Sequence, residues 1–243
     1  MAALRTGLQL AAHKFGFHIR RYPQSDPVWR ATQLKRHYGV DLVVDVGAND
    51  GSYGASIRRH GYQQRILSFE PLAEPFDRLQ ARSQRDPKWS VMQVAVGDEE
   101  KMVAVNVAGN AAASSSVLPM LERHRKAAPS SAYVGSEDVQ QSRLDELLAT
   151  LGCNEDRVFL KIDVQGYERA VMGGAKQLLE SGRIQGLQIE LSFTPMYQGA
   201  MTWQEGFESA AGLGMTLMSL DAVLIEESGQ MLQADAVFFR DGD

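Results

Sequence analysis

The chain has 243 residues, 44% of them hydrophobic and 23% charged, which sets aside a disordered chain and suits one large globular, soluble α/β domain. One cysteine, Cys153, excludes an internal disulfide and agrees with a reducing, cytoplasmic compartment. The formal charge of -5 is unevenly spread: residues 1–40 hold seven lysines and arginines (Arg5, Lys14, Arg20, Arg21, Arg30, Lys35, Arg36) against Asp26, so this arm carries +6 and the remainder -11.

The arm begins with Leu4, Leu8 and Ala11 on one face of a short amphipathic helix. The apolar run from Gly7 to Ala12 is too short for a signal peptide, and no run approaches a bilayer span. Such an arm packs on an acidic neighbour or makes weak contact with an anionic surface. Nothing in it points to specific nucleic-acid binding. Residues 1–40 therefore read as a basic helical cap, and 41–243 as one domain. Both a monomer and a homodimer stay open.

Ser25-Asp26-Pro27 predicts a helix start, with Val28 to Tyr38 at helical spacing and Gly39 as the stop. Strand and helix signals then alternate: strand 42–46, helix 52–60, strand 65–69, helix 72–84, strand 89–95. That alternation predicts a doubly wound, mostly parallel sheet with helices on both faces. Met102 to Val107 alternates and predicts an extra strand. Residues 108–140 are irregular and read as a long functional loop. Helix 142–151, strand 157–163, helix 167–180, strand 185–191 and helix 203–212 follow. Met215 to Glu227 and Met231 to Arg240 flank Ser228-Gly229-Gln230, predicting an antiparallel hairpin.

The first strand, Leu42 to Val46, runs into Gly47-Ala48-Asn49-Asp50-Gly51, where Gly47 and Gly51 allow a sharp turn and close backbone approach to a ligand. Glu70, ending the second strand, is placed to accept ribose hydroxyls. Two acids, Asp45 and Asp50, beside this turn would repel a diphosphate, and Asn49 stands where a dinucleotide fingerprint has its second glycine. They would attract the ammonium and sulfonium of S-adenosylmethionine. A nicotinamide-dependent sugar dehydrogenase or epimerase is the alternative, as is a non-catalytic module that binds the same donor.

An ordered set of segments, Val43-Val44-Asp45-Val46-Gly47-Ala48-Asn49-Asp50-Gly51, Phe69-Glu70-Pro71, Ala95-Val96-Gly97-Asp98, Ser114-Ser115-Ser116, Leu160-Lys161-Ile162-Asp163-Val164-Gln165-Gly166-Tyr167-Glu168 and Ile189-Glu190, resembles the FkbM-type S-adenosylmethionine-dependent methyltransferases over residues 40 to 240. The N-terminal stretch is similar to that of mycobacterial members that methylate sugar hydroxyls on glycolipids or polysaccharides. The resemblance implies a class I methyltransferase fold, with segment 108–140 over the active site. It also implies an O-methyltransferase whose acceptor is a saccharide, polysaccharide precursor or glycolipid.

On that footing Asp45 and the backbone of Gly47 to Gly51, with Asn49 and Asp50, are expected to hold the methionine part of the donor. Glu70 takes the ribose, Asp98 the adenine amino group, and Ala95 and Val96 supply backbone contacts. Ser115 and Ser116 bind the donor or hold the loop. Asp163 and Glu190, at the ends of neighbouring strands, are candidates to bind the acceptor, to act as base, or to share a magnesium ion that would acidify a sugar hydroxyl. His124 is the one histidine in the irregular segment and is a further candidate base. Phe193, Tyr197 and Trp203 are the aromatic candidates for acceptor contact.

Overall fold

The computed structural model describes Ala12, Lys14, Phe15 and residues 25–153 and 157–240. The expected helix around Leu4, Leu8 and Ala11 lies outside the described residues. Helix α1 (Pro27–His37) starts where the sequence predicts: Asp26 accepts the Trp29 N–H at 3.0 Å, Pro27 occupies the first turn, and Lys35, Arg36 and His37 sit at the negative end of the dipole. Gly39, at φ +64°, turns the chain out of the helix.

Strands β1 (Leu42–Val46), β2 (Arg65–Phe69), β3 (Trp89–Met92), β7 (Val158–Ile162), β8 (Ile184–Ser192), β9 (Met215–Ile225) and β10 (Met231–Arg240) form one seven-stranded sheet in the order β3-β2-β1-β7-β8-β10-β9. The first five are parallel, and β10 inserts antiparallel between β8 and β9. This is the doubly wound, mostly parallel sheet with a C-terminal antiparallel hairpin that the alternating signals predict, in the class I order that the resemblance implies.

Three boundaries differ from the sequence reading. The strand expected over 89–95 is two: β3 ends at Met92, and β4 (Ala95–Gly97) leaves the main sheet to pair with β6 (Tyr133–Arg143), itself antiparallel to β5 (Lys101–Ala108). This second sheet takes residues 133–140 out of the expected loop. Helix α4 (Glu122–Ala127) takes another part of it. The helix expected over 167–180 breaks at Ala175 into α6 (Glu168–Gly174) and α7 (Lys176–Glu180). Gly174 sits in the first of these because a Cβ there would fall 1.9 Å from the Gly97 carbonyl oxygen.

The two faces of the main sheet are unlike. On one, Leu42, Val44, Val46, Leu160, Ile162, Leu187, Ile189 and Phe238 pack with residues of α5 (Leu144–Thr150), α6, α7 and α8 (Trp203–Gly212) into a continuous apolar core. On the other, Val43, Ile66, Phe159, Val237 and Phe239 meet α1, α2 (Ser52–Arg59) and α3 (Ala73–Ser83) through Ala31, Ile57 and Leu79. Tyr38 stacks on Phe239 at 4.7 Å, so the C-terminal part of the expected basic arm is a packed layer of the domain. Full burial of such side chains contributes about 1.5–3 kcal/mol each.

This second face changes character along its strands, because side chains two apart share a face. Past Val43 and Phe159 the next residues on it are Asp45 and Lys161, in register with Ser68 and Gln188. One step further lie Asp163 and Glu190, the latter directly opposite Asp235, which is itself opposite Asp221. A polar patch thus forms at the carboxyl ends of the parallel strands, where a doubly wound sheet places its ligands.

Candidate active site

Above that patch is a cavity of about 540 Å³. One half is walled by the Gly47–Asp50 turn, Glu70, Leu72, Val94–Val96 and the loop from Asn110 to Val117; the other by Lys161, Asp163, Gln165, Gln188, Asp221, Asp235 and Tyr53. Pro27, Val28 and Ala31 of α1 close the second half. The size lies within the range of small-molecule sites.

The turn is held from below. Gly47 and Ala48 donate backbone N–H groups to the Phe69 carbonyl, each at 3.0 Å, which fixes the turn to the end of β2. Gly47 has φ +78°, and a Cβ on it would fall 1.9 Å from the Asp163 carbonyl oxygen, so β1 and β7 can approach only with glycine there. Gly51 has φ +79°, but its added Cβ would meet Leu79 and Trp89, and it does not line the cavity. Its role is packing and helix entry.

Asn49, in the left-handed region at φ 47°, donates its backbone N–H to Glu70 Oε2 at 2.8 Å, while the Leu72 N–H reaches Glu70 Oε1 at 3.0 Å. Glu70 thereby faces the cavity with one lone pair on each oxygen still open, suited to a pair of vicinal hydroxyls. Burial pushes its carboxyl up to about 7 despite those two hydrogen bonds. The Asn49 side chain reaches the Ala111 carbonyl at 3.3 Å and ties the turn to the covering loop. Asp50 lines the cavity but is bound outward: its oxygens accept from the Ser52 N–H at 3.0 Å and Arg82 at 2.7 Å. Although partial burial works the other way, those hydrogen bonds and the Arg82 charge hold its carboxyl below the usual range.

Asp45 is placed differently from its expected role. It is fully buried, does not line the cavity, and sits with Oδ1 3.2 Å from Lys161 Nζ, close enough for an ion pair although the angles are not those of a hydrogen bond. Ser68 donates to its other oxygen at 3.4 Å. Lys161, which the sequence reading passed over, also lies 3.3 Å from Asp163 Oδ2. Burial lowers the Lys161 pKa, but the carboxylates of Asp45, Asp163 and Asp235 outweigh it and hold the ammonium charged.

Ala95 and Val96 line the first half, with Val94 and Val105, as an apolar wall. Asp98 does not: β4 has turned into the second sheet by then, leaving Asp98 exposed beside Gly173. Ser115 and Ser116 both line the cavity and both hold the loop. Ser115 Oγ accepts from the Ala108 N–H at 2.9 Å, and Ser116 Oγ donates to the Gln165 carbonyl at 2.7 Å.

Asp163 lines the second half, whereas Glu190 lies outside the lining. Between them stands Gln165, whose amide nitrogen donates to Asp163 Oδ1 at 3.0 Å and to Glu190 Oε2 at 2.8 Å. Gln165 has φ 54°, an uncommon state for a residue with a Cβ, and its carbonyl end is held by the Tyr197 hydroxyl at 2.8 Å. Gln233 adds a second amide to Glu190 Oε2 at 2.8 Å, and burial pushes the Glu190 carboxyl well above its ordinary value. Amide and ammonium hydrogens therefore point at the oxygens a cation would need. The donor set does not fit the expected magnesium site, and among the described residues no group of three or more His, Cys, Asp or Glu converges as metal ligands.

His124 does not reach the cavity. It is buried in α4, edge-on to Tyr197 at 5.1 Å, and burial lowers its pKa. Tyr197 is structural as well, and Phe193 and Trp203 pack with each other at 5.9 Å away from the lining. The aromatic residues that do line the cavity are Tyr53, Phe69 and Tyr167.

Residues 45–231, three quarters of the chain, match the family model described as the methyltransferase FkbM domain. No curated protein matches. Among solved structures, an rRNA methylase from Streptococcus thermophilus is similar at 12% identity and TM-score 0.48, covering 92% of this chain and 99% of its own. The 1,6-didemethyltoxoflavin-N1-methyltransferase of Burkholderia thailandensis, solved with S-adenosylhomocysteine, is similar at 12% identity and TM-score 0.45, covering 99% and 88%. The methyltransferase domain of bacterial CtHen1 is similar at 13% identity and TM-score 0.45, covering 88% and 97%. The family match is to a methyltransferase and not to the nicotinamide-dependent alternative.

Proposed function

Since this chain belongs to the FkbM methyltransferase family, we propose that it moves the methyl group of S-adenosylmethionine onto a hydroxyl of a saccharide, polysaccharide precursor or glycolipid. The observation that carries the reading is one cavity joining two unlike halves. A glycine turn with Glu70 and an apolar wall stands on one side, and a row of carboxylates and amides stands on the other.

In the donor half, Glu70 binds the ribose hydroxyls, the Gly47–Asn49 backbone flanks the methionine portion, and Leu72, Val94, Val96 and Val105 enclose the adenine. Asp163 supplies nearby negative charge that favours a cationic donor. Asp45 acts from beneath the lining through Lys161, which it holds in the cavity floor. When bound, the donor supplies a methyl carbon attached to a positively charged sulfur.

In the acceptor half, Asp163, Gln188, Asp221 and Asp235 offer several hydrogen-bond acceptors within one wall, as a polyhydroxylated ring requires. Tyr53 gives that ring an aromatic face. Residues of α1 roof this half and exclude water, so the wall aligns the reacting oxygen; such alignment is worth roughly 7–11 kcal/mol of the barrier.

The reading is tested by incubating the protein with methyl-labelled donor and an extract of its source cells, then locating the label by mass spectrometry. Label on a saccharide oxygen supports it. Label on nitrogen, on nucleic acid or on protein, or no transfer to any fraction, overturns it.

A further inference from the structure

We propose that Asp235 is the general base that takes the proton from the acceptor hydroxyl as its oxygen is methylated. This inference rests on the methyl-transfer reading above. Of the carboxylates that line the cavity, Asp235 alone has no cation and no backbone N–H bound to it among the described residues. Asp50 is bound by Arg82 and the Ser52 N–H, Glu70 by two backbone N–H groups, Asp163 by Lys161 and Gln165, and Asp221 by Arg30. Among the described residues, the neutral Gln188 side chain alone acts on the Asp235 carboxylate as a hydrogen-bonding group.

Its position comes from the inserted strand. β10 places Asp235 directly between Glu190 of β8 and Asp221 of β9 on the cavity face of the sheet. Among the described residues the charged and titratable groups facing it are Asp221 and Glu190 on the flanking strands, Lys161 from β7 and Asp163 just past its end, Tyr53 from α2 and Arg30 from α1, the last engaged with Asp221 at 2.6 Å. Burial first, then Asp163 and Asp221, push the Asp235 carboxyl up to about 6 against the pull of Lys161. A base in that range is ionised at neutral pH and still takes a proton readily.

In the step itself the hydroxyl oxygen bonds the methyl carbon while the carbon–sulfur bond breaks, the electron pair staying on sulfur. The hydroxyl proton passes to the Asp235 carboxylate and then to solvent. S-adenosylhomocysteine and the methyl ether leave, so atoms and charge balance without a further reactant.

The test compares the parent with Asp235→Asn and Asp235→Glu on the extract fraction that the parent labels. Loss of a base predicts turnover down by about 10²–10⁴ in Asp235→Asn, with partial recovery in Asp235→Glu. Donor affinity by calorimetry stays within threefold of the parent. The acid limb of the rate profile near pH 6 is present in the parent and absent from Asp235→Asn. Carbon-13 carboxyl resonances of the parent, without donor, give the independent readout: Asp235 titrates near 6. Turnover of Asp235→Asn within threefold of the parent, an unchanged acid limb, or titration of Asp235 in the ordinary range near 4 overturns the assignment while leaving methyl transfer standing. Failure of the parent to label any fraction overturns both.

Discussion

Lys161 Nζ lies 3.2 Å from Asp45 Oδ1 beneath the cavity floor, and the same ammonium reaches Asp163 Oδ2 at 3.3 Å on the cavity wall. One buried cation thus joins an acid outside the cavity lining to one within it. Removing it leaves Asp45 with a buried charge and no counter-ion. Lys161→Met is expected to cost about 3–5 kcal/mol, the range for breaking a buried pair from one side. The double variant Asp45→Asn/Lys161→Met should lose less than the sum of its singles. Urea denaturation of the four proteins checks this, and additive losses would mean that the two groups do not interact.

Glu70 makes stability depend on pH. Its folded pKa of about 7 lies above the ordinary 4.5, so the proton is held more tightly in the folded chain. That stabilisation is complete below about 4.5 and is lost as pH rises through 7, a change of about 3 kcal/mol for a shift of this size. Glu168, also pushed up to about 7 by burial, adds in the same direction. Denaturation midpoints measured between pH 4.5 and 8 should fall less steeply in Glu70→Gln than in the parent. Parallel profiles would show that Glu70 titrates normally.

The placement of the glycine turn and of Glu70 was legible in sequence because their spacing has one structural meaning. An apolar run that stops at Gly47, and a second that stops at Glu70, place both at strand ends. The acceptor half was harder to see. Lys161 reads as a lone charge inside Leu160–Ile162 until β7 is registered against Asp45, and Asp235 gains meaning only once β10 is known to lie beside Glu190. Asp98 and His124 were misplaced for one reason: β4 and β6 build a second sheet from residues that lack a clean strand period, and this sheet and α4 carry the part of the expected loop beyond Val117 away from the pocket, which Asn110 to Val117 still wall. The deviation that would have flagged the floor is polar residues alternating with apolar ones, as in Phe159-x-Lys161-x-Asp163 and Gln188-x-Glu190.

Gly47→Ala tests the junction of turn and sheet. The left-handed φ costs roughly 1–2 kcal/mol for an alanine, and the added Cβ, 1.9 Å from the Asp163 carbonyl oxygen, forces β1 and β7 apart. Stability should fall by more than that backbone cost, and donor binding should weaken with it. Gly61→Ala is the control, since its φ is +92° but nothing lies within 4 Å of the added Cβ. Equal losses in the two would remove the close approach as the cause.

His124→Phe should leave methyl transfer within about threefold of the parent at every pH, because a group outside the cavity forms no part of proton transfer there. Its buried Nδ1 has no hydrogen-bond partner among the described residues, so replacing the ring by an apolar one should not lower the unfolding midpoint. A large loss of turnover with intact folding would place His124 at the reacting atoms after all.

Exhaustive chelation should leave turnover unchanged, and added magnesium should not raise it, because Gln165 and Lys161 already occupy the oxygens of Asp163. Restoration of lost activity by a divalent ion would show that these side chains rearrange to admit one.

A cationic adenosyl donor seated between the Gly47 turn and Glu70 is the central proposal, and calorimetric titration of the intact protein with S-adenosylmethionine and S-adenosylhomocysteine tests it most directly. One site per chain is predicted for both compounds, with affinity reduced at least tenfold in Glu70→Ala, the loss of roughly 1.4 kcal/mol expected when a charge-assisted hydrogen bond is removed. Absence of binding by either compound, or binding that Glu70→Ala leaves unaltered, would contradict it.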